Sequence, residues 1–314
     1  MKRFGIILAA IAAVFALAAA PAQAQLNRTF VSGHGDDSNP CTVTFPCRSF
    51  AYAITQTNAG GEIATLDAAG YGLLTITKAI SITNDGAGEA GISVGSAVAG
   101  ITITAGFTDV VNLRGLTLTG NGVGTDGISF TSGGTLNVKN CIISGFSGTG
   151  VNLTPNASSN FNVSDMIVSN NGGDGVHLVP TTSGTTNQAT FERVQSLGHA
   201  AGSGFLIDGS SLSSGTLRAT AVDSVARNNL YGFVANGSAV VPVFPTFTLV
   251  NAKAVDNADG VTSQGSTVIL AKSTISGNSS RGFVITFGPG IQSFGDNYII
   301  DTSNHGSLTS VAEK

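Results

Sequence analysis

Tryptophan is absent from this chain, and charged residues make up only 10% of it. No run or patch of lysine and arginine occurs, so the clustered cations that a phosphate backbone needs are missing and nucleic acid is not an expected partner. Long apolar runs are scarce as well. The single one, Phe4 to Ala19, follows Lys2 and Arg3 and precedes Ala22-Gln23-Ala24. That order reads as a signal peptide over residues 1–24, since the run is short for a spanning helix. The mature chain then starts near Gln25, with 12 basic against 18 acidic residues once Lys2 and Arg3 are set aside, a net charge of −6. No second run of that kind follows, so membrane insertion is not expected after cleavage. The expected location is secreted or periplasmic.

Cysteine is sparse, with three in 314 residues. Cys41 and Cys47 lie close together in a proline-bounded stretch of an exported chain, and a disulfide between them is expected. Two thiols without a nearby Cys/His pair make an incomplete zinc site. Cys141 falls in a strand-like stretch and reads as a small buried hydrophobe.

What is abundant is glycine, with 42 residues, together with serine, threonine, asparagine and valine. This is the vocabulary of short strands and tight corners. A phrase recurs within it: a small or Asn-containing corner, then glycine and an apolar residue. It occurs at Gly127-Ile128, Gly150-Val151, Gly175-Val176, Gly204-Phe205, Gly232-Phe233, Gly260-Val261 and Gly282-Phe283. The glycines are 23, 25, 29, 28, 28 and 22 residues apart. A recurrence of this length marks a solenoid, in which each coil buries its apolar side only by stacking on neighbours.

Between these phrases lie segments such as Leu73-Leu-Thr-Ile-Thr, Ile101-Thr-Ile-Thr and Leu116-Thr-Leu-Thr, which alternate apolar and polar residues. Period two over so few residues suits the faces of a coil. The expected fold is all-β, a parallel β-helix of about nine or ten coils. The apolar residues of the phrase should stack inward as one column. The corner asparagines should take left-handed geometry and bond along the stack. Residues 25–62 read as an N-terminal cap. Within it Ser49 can cap a short helix with Phe50, Ala53, Ile54 and Thr57 on one face, stopped by Asn58-Ala-Gly-Gly. Residues 63–301 form the body, and the polar residues 302–314 read as a mobile tail.

The opening Thr29-Phe-Val-Ser-Gly, Asp37-Ser-Asn-Pro-Cys and Pro46-Cys-Arg-Ser-Phe, followed by Gly60-Gly-Glu-Ile and Ile76-Thr-Lys-Ala-Ile, resembles the start of many exported bacterial right-handed parallel β-helix proteins of the pectin-lyase-like superfamily. The resemblance spans residues 29–301 and implies that fold. It implies less about activity, because the superfamily holds lyases, hydrolases, esterases and adhesins. Polygalacturonases of the fold use aspartates and a Gly-His-Gly from successive coils. Here Gly33-His34-Gly35 and Asp36-Asp37 are contiguous and precede the coils, which favours a loop. Pectate lyases of the fold use acidic clusters for calcium. Asp126, Asp174 and Asp259 precede the repeat glycine, but the closest pair is two coils apart, too far for shared ligation. They read as solvated corner residues.

No catalytic residue, metal or cofactor is assigned from the sequence. The outward row Ser129, Asn152, His177, Leu206, Val234, Thr262 and Val284 is nearly free of charge, which argues against a face that cleaves polyuronates. His177, Glu192, Arg193 and Asp208 could approach one another across neighbouring coils, but surface polarity is the simpler reading. Three consecutive coils are lengthened after the Gly-apolar strand, at residues 180–187, 208–215 and 236–245. Adjacent insertions fall on one side of a solenoid and can wall a groove. His177, Asp208 and Phe244 are the ligand-binding candidates beside that lip, for hydrogen bonding and ring stacking. The expected function is interaction with a carbohydrate or cell-surface polysaccharide, without clear catalytic machinery, a polysaccharide being the expected partner. A polysaccharide lyase or glycoside hydrolase, or an adhesin-like structural module, are the alternatives.

Overall fold

A computed structural model describes residues 26–239 and 243–312. The signal-peptide reading of residues 1–24, and residues 240–242 of the third insertion, lie outside the described residues. The chain forms a parallel β-solenoid of about ten turns, with one helix near its start.

Short alternating segments become strands, and each pairs in parallel with its counterpart one coil away. Three ladders result. The first contains Val110–Arg114 and Thr135–Lys139, the second Leu116–Thr119 and Ile142–Ser144, and the third Ile128–Ser132 and Val151–Leu153. The first two merge into one 20-stranded sheet, because Ser159–Ser169 and Thr186–Leu197 run through the corner between them. The third stands alone with nine strands.

Both corners flanking the second ladder turn on a left-handed residue. At the first corner these are Gly115, Asn140, Asp165, Arg193, Asp223, Asn251 and Lys272. At the other they are Asn121, Gly145, Asn170, Gly198, Asn228, Asp256 and Gly277. Glycine, asparagine and aspartate dominate both sets, because they reach this region at least cost. The sequence reading placed left-handed geometry on the corner asparagines Asn121, Asn171, Asn228, Asn257 and Asn278. The structure has it at Asn121 and Asn228 and corrects it at Asn171, Asn257 and Asn278. The preceding residue turns the corner, and these three point into the solenoid.

There they build a buried hydrogen-bonded ladder. Each side-chain acceptor receives the backbone N–H of the coil before it. Asn171 Oδ1 receives Phe146 N–H at 3.0 Å, and His199 Nδ1 receives Asn171 N–H at 3.2 Å. Asn229, Asn257, Asn278 and Asp301 continue the series in turn, at 2.9 to 3.2 Å. Buried N–H groups that would otherwise lose their partners at a corner are satisfied in this way.

The repeating glycine has a steric cause. A Cβ at Gly127, Gly150, Gly175, Gly204, Gly232 or Gly260 would lie 2.3–2.8 Å from the carbonyl oxygen of the repeat glycine on the next coil. Only glycine allows the coils to approach this closely. The apolar residue beside it enters the core. Ile128, Val151, Val176, Phe205, Phe233, Val261 and Phe283 stand in register and buried, as the sequence predicts. Phe205 and Phe233 stack with centroids 4.8 Å apart and planes 9° from parallel. Phe191 and Phe247 pack against this pair from the first ladder.

The N-terminal end is closed in two ways. Strand Leu26–Val31 pairs with Thr57–Thr65, and the helix α1, Phe50–Gln56, buries Phe50, Ala53 and Ile54. Ser49 caps it by accepting Tyr52 N–H at 3.2 Å. The helix stops earlier than Asn58-Ala-Gly-Gly suggests. Thr57 Oγ1 bonds Ala53 O at 2.7 Å, and the glycines that follow lie in a bulged strand. Cys41 and Cys47 are disulfide-bonded and Cys141 is a buried free thiol. In the C-terminal segment, Thr309–Ser310 pairs with Gln292 and Ser293.

Replacing Phe233 with Ala removes the centre of the aromatic stack and opens a cavity between coils. The expected loss is about 3–5 kcal/mol, read from denaturant unfolding. A loss near zero would mean the column is not the core.

Candidate functional site

The outward face of the third ladder carries a groove, and register explains its shape. The strands Ser203–Asp208, Tyr231–Asn236, Asp259–Gln264 and Arg281–Ile285 lie side by side. Alternation sends Phe205, Phe233, Val261 and Phe283 inward and leaves Leu206, Val234, Thr262 and Val284 as the floor. One wall is the row Ser203, Tyr231, Asp259 and Arg281; the other includes Asn236, Gln264 and Thr286. The depression holds about 410 Å³. Apolar floor between hydrogen-bonding walls is the general form of a small ligand site.

Asp259 is 3% exposed, and Arg281 grips it with both arms of its guanidinium, Nε–Oδ1 2.9 Å and Nη2–Oδ2 2.6 Å. The hydrogen bonds that Arg281 donates to Asp259 raise the Arg281 pKa further and fix the charge. The pair holds the end of the wall rigid, since planar two-point contacts restrict both side chains. Tyr231, one coil away, presents a half-exposed ring.

The same row continues toward the N-terminus as Asp174, Thr149 and Asp126. Asp174 accepts Ser203 N–H at 2.6 Å and meets His177 Nδ1 at 3.0 Å. Asp126 accepts Thr149 N–H at 2.9 Å and Asn152 Nδ2 at 3.1 Å. The reading of Asp174 and Asp259 as solvated corners is therefore corrected. Each is tied to the following coil, which the one-dimensional spacing does not reveal. Burial alone would raise the Asp174 carboxyl, but His177 and the Ser203 N–H together hold it below the usual carboxylate value.

Among the sequence candidates, His177 stands in register with Leu206, so it extends the floor by one coil. Asp208 stands in register with Asn236, at the start of the second wall. Phe244 is exposed and borders a separate depression with Arg218 and Thr246. None of the three lines the groove depression itself: His177 and Asp208 lie in register beside its Leu206 and Asn236 residues, and Phe244 borders the separate one. Glu192 and Arg193 do not join His177. They sit at the end of the first ladder, where Arg193 pairs with Glu192 and with Asp165 at 2.6 Å. The insertions do stack at one corner: Ser213 N–H bonds Ser183 Oγ at 2.9 Å, and Gly209 N–H bonds Asn236 O at 2.8 Å. His34 is almost fully exposed, and Asp37 accepts the Arg48 and Ser49 amides at 2.8 and 3.0 Å, which are loop roles.

Tyr231 and the Asp259–Arg281 pair were missed by sequence reasoning. Their signal is the row itself: Ser203, Tyr231, Asp259 and Arg281 fall at equivalent places before the Gly-apolar step.

The family model described as right-handed beta helix region matches residues 41–243. The chain belongs to that family. No curated protein matches it. Among solved structures it is similar to pectate lyase Pel9A, at 15% identity and TM-score 0.58, covering 92% of this chain and 82% of that one. It is also similar to a rhamnogalacturonan lyase, at 13% identity and TM-score 0.61, covering 91% and 86%. At these identities the likeness is one of fold.

Asp174→Ala should lose the bond to the Ser203 amide on the next coil and the contact with His177 on its own coil, and cost about 1–3 kcal/mol at neutral pH. Because the folded carboxyl titrates below its ordinary 3.8, its contribution is complete above that value and disappears as pH falls through the folded one. Urea unfolding across pH should therefore show the wild type and variant converging in acid. A gap that persists at the lowest pH would contradict the assignment.

Proposed function

We propose that this is an exported β-helix protein that holds a polysaccharide along the third-ladder groove without cleaving it. The observation that carries this is the groove itself, an apolar floor flanked by hydroxyl and carboxamide groups and edged by the Tyr231 ring. Sugars offer apolar ring faces and equatorial hydroxyls, and such a surface meets both. Asp174 is held by His177 and the Ser203 amide and Asp259 by Arg281, while Asp208 accepts the Ser210 N–H of its own loop. Hydrolysis by paired carboxyls would need one group free to give a proton and another free to act as base or nucleophile. The lyases of similar fold support a polysaccharide as the ligand class. The Cys41–Cys47 bridge supports an oxidising, secreted or periplasmic compartment. His177 and Asp208 would extend contact past one end of the groove, and Phe244 would add a contact on the lip.

The test is a panel of polyuronates and neutral glycans incubated with the purified mature protein, scored for retention and for new chain ends. Retention without new ends is expected. Tyr231→Ala should weaken it about tenfold, the scale of one lost stacking contact. Trimming the insertions 180–187, 208–215 and 236–245 should weaken it further. Unsaturated products would establish a lyase instead. Retention untouched by both changes would remove the groove from consideration.

A further inference from the structure

One rung of the buried ladder differs from its neighbours. Where the following coils place Asn229, Asn257 and Asn278, this coil places His199, which is fully buried. Its backbone N–H bonds Asn229 Oδ1 at 2.9 Å, so it is built into the ladder from below. Its Nδ1 accepts Asn171 N–H at 3.2 Å, so it is built in from above. An acceptor at Nδ1 fixes the tautomer, with the ring proton on Nε2. Among the described residues that Nε2 meets no partner in hydrogen-bonding geometry, although the nearby Val168 backbone favours the charged ring. A second proton can enter only at Nδ1, where it would face the Asn171 N–H, donor against donor. A carboxamide oxygen in the same place has no such event available near neutral pH.

We infer that His199 is an acid-sensitive joint in the solenoid: a second proton on its ring breaks the ladder between the Asn171 and His199 coils and leaves the rungs below it paired. Burial favours the neutral ring and holds its pKa below the ordinary 6.5. The Asn171 and Val168 backbones oppose this, and so does the charged neighbour Asp174, which is itself occupied by His177 and the Ser203 amide. The sign follows. A ring that titrates lower when folded stabilises fully above its ordinary value, and that stabilisation is lost as pH falls through the folded one. The opening is local, because only this rung titrates in that range.

Hydrogen exchange resolved to single amides, from about pH 7.5 to about pH 5, tests this on the wild-type chain. The Asn171 amide should lose protection at least about tenfold after correction for intrinsic exchange. The Asn257 amide, bonded to Asn278 Oδ1 at 3.0 Å, is the internal reference and should hold. His199→Asn should keep Asn171 protected at both pH values. Constant Asn171 protection, an equal fall at Asn257, or the same fall in His199→Asn would each overturn the proposal. If that variant does not fold, the comparison of the two amides within the wild-type chain decides alone.

Discussion

Each coil of this protein can satisfy its backbone only through the coil beside it. A strand of three to five residues has no hairpin partner, so its N–H and C=O groups point along the axis and must meet an identical arrangement one step away. That condition sets the spacing between coils and forces the repeat glycine, because the close approach of neighbouring carbonyls leaves no room for a Cβ. It also makes the corners the difficult places. There the ladder of strands lapses, and the buried series from Asn171 to Asp301 supplies acceptors that the backbone cannot.

Stacking then sorts side chains into columns, and a residue is judged by its column neighbours. Phe205 lies on Phe233 because both occupy the inward place of the same step. Ion pairs obey the same rule: Arg193 with Asp165, Arg227 with Asp256 and Arg281 with Asp259 each join one coil to the next. The first two are exposed, and such pairs contribute little. The third differs because its carboxylate is almost wholly buried. Removing Arg281 would leave that charge without its counter-ion, whereas removing Arg227 would leave Asp256 in water.

The parts that were legible in the sequence share a physical origin. The inward column could be read because glycine followed by an apolar residue reports a steric and a hydrophobic requirement at adjacent positions. The helix at Phe50 could be read from one cap and one face. Its stop could not, since Gly60 and Gly61 serve a bulged strand as readily as a helix end. Corner asparagines were placed one residue late at Asn171, Asn257 and Asn278, because each follows a second corner-former, Asn170, Asp256 or Gly277, and the sequence hides which member turns and which points inward. The groove left least trace. It has no motif, only a floor of modest side chains between two polar rows, and its depth appears when Tyr231 and Arg281 are brought beside Asp259 in register.

That register links the groove to the ladder beneath it. Asp174 reaches across to the Ser203 amide, and Ser203 opens the wall that continues through Tyr231 and Asp259. The same two coils are joined on the inside by Asn171 and His199. A change of protonation at the inner contact would therefore act on one end of the outer wall through a single shared step. The far end, held by Arg281 on Asp259, belongs to coils whose inner rungs are Asn257 and Asn278, and carboxamides do not titrate. The two ends of one groove thus rest on supports with different chemistry. Acid would loosen the His177 end first and leave the Tyr231–Arg281 end in place.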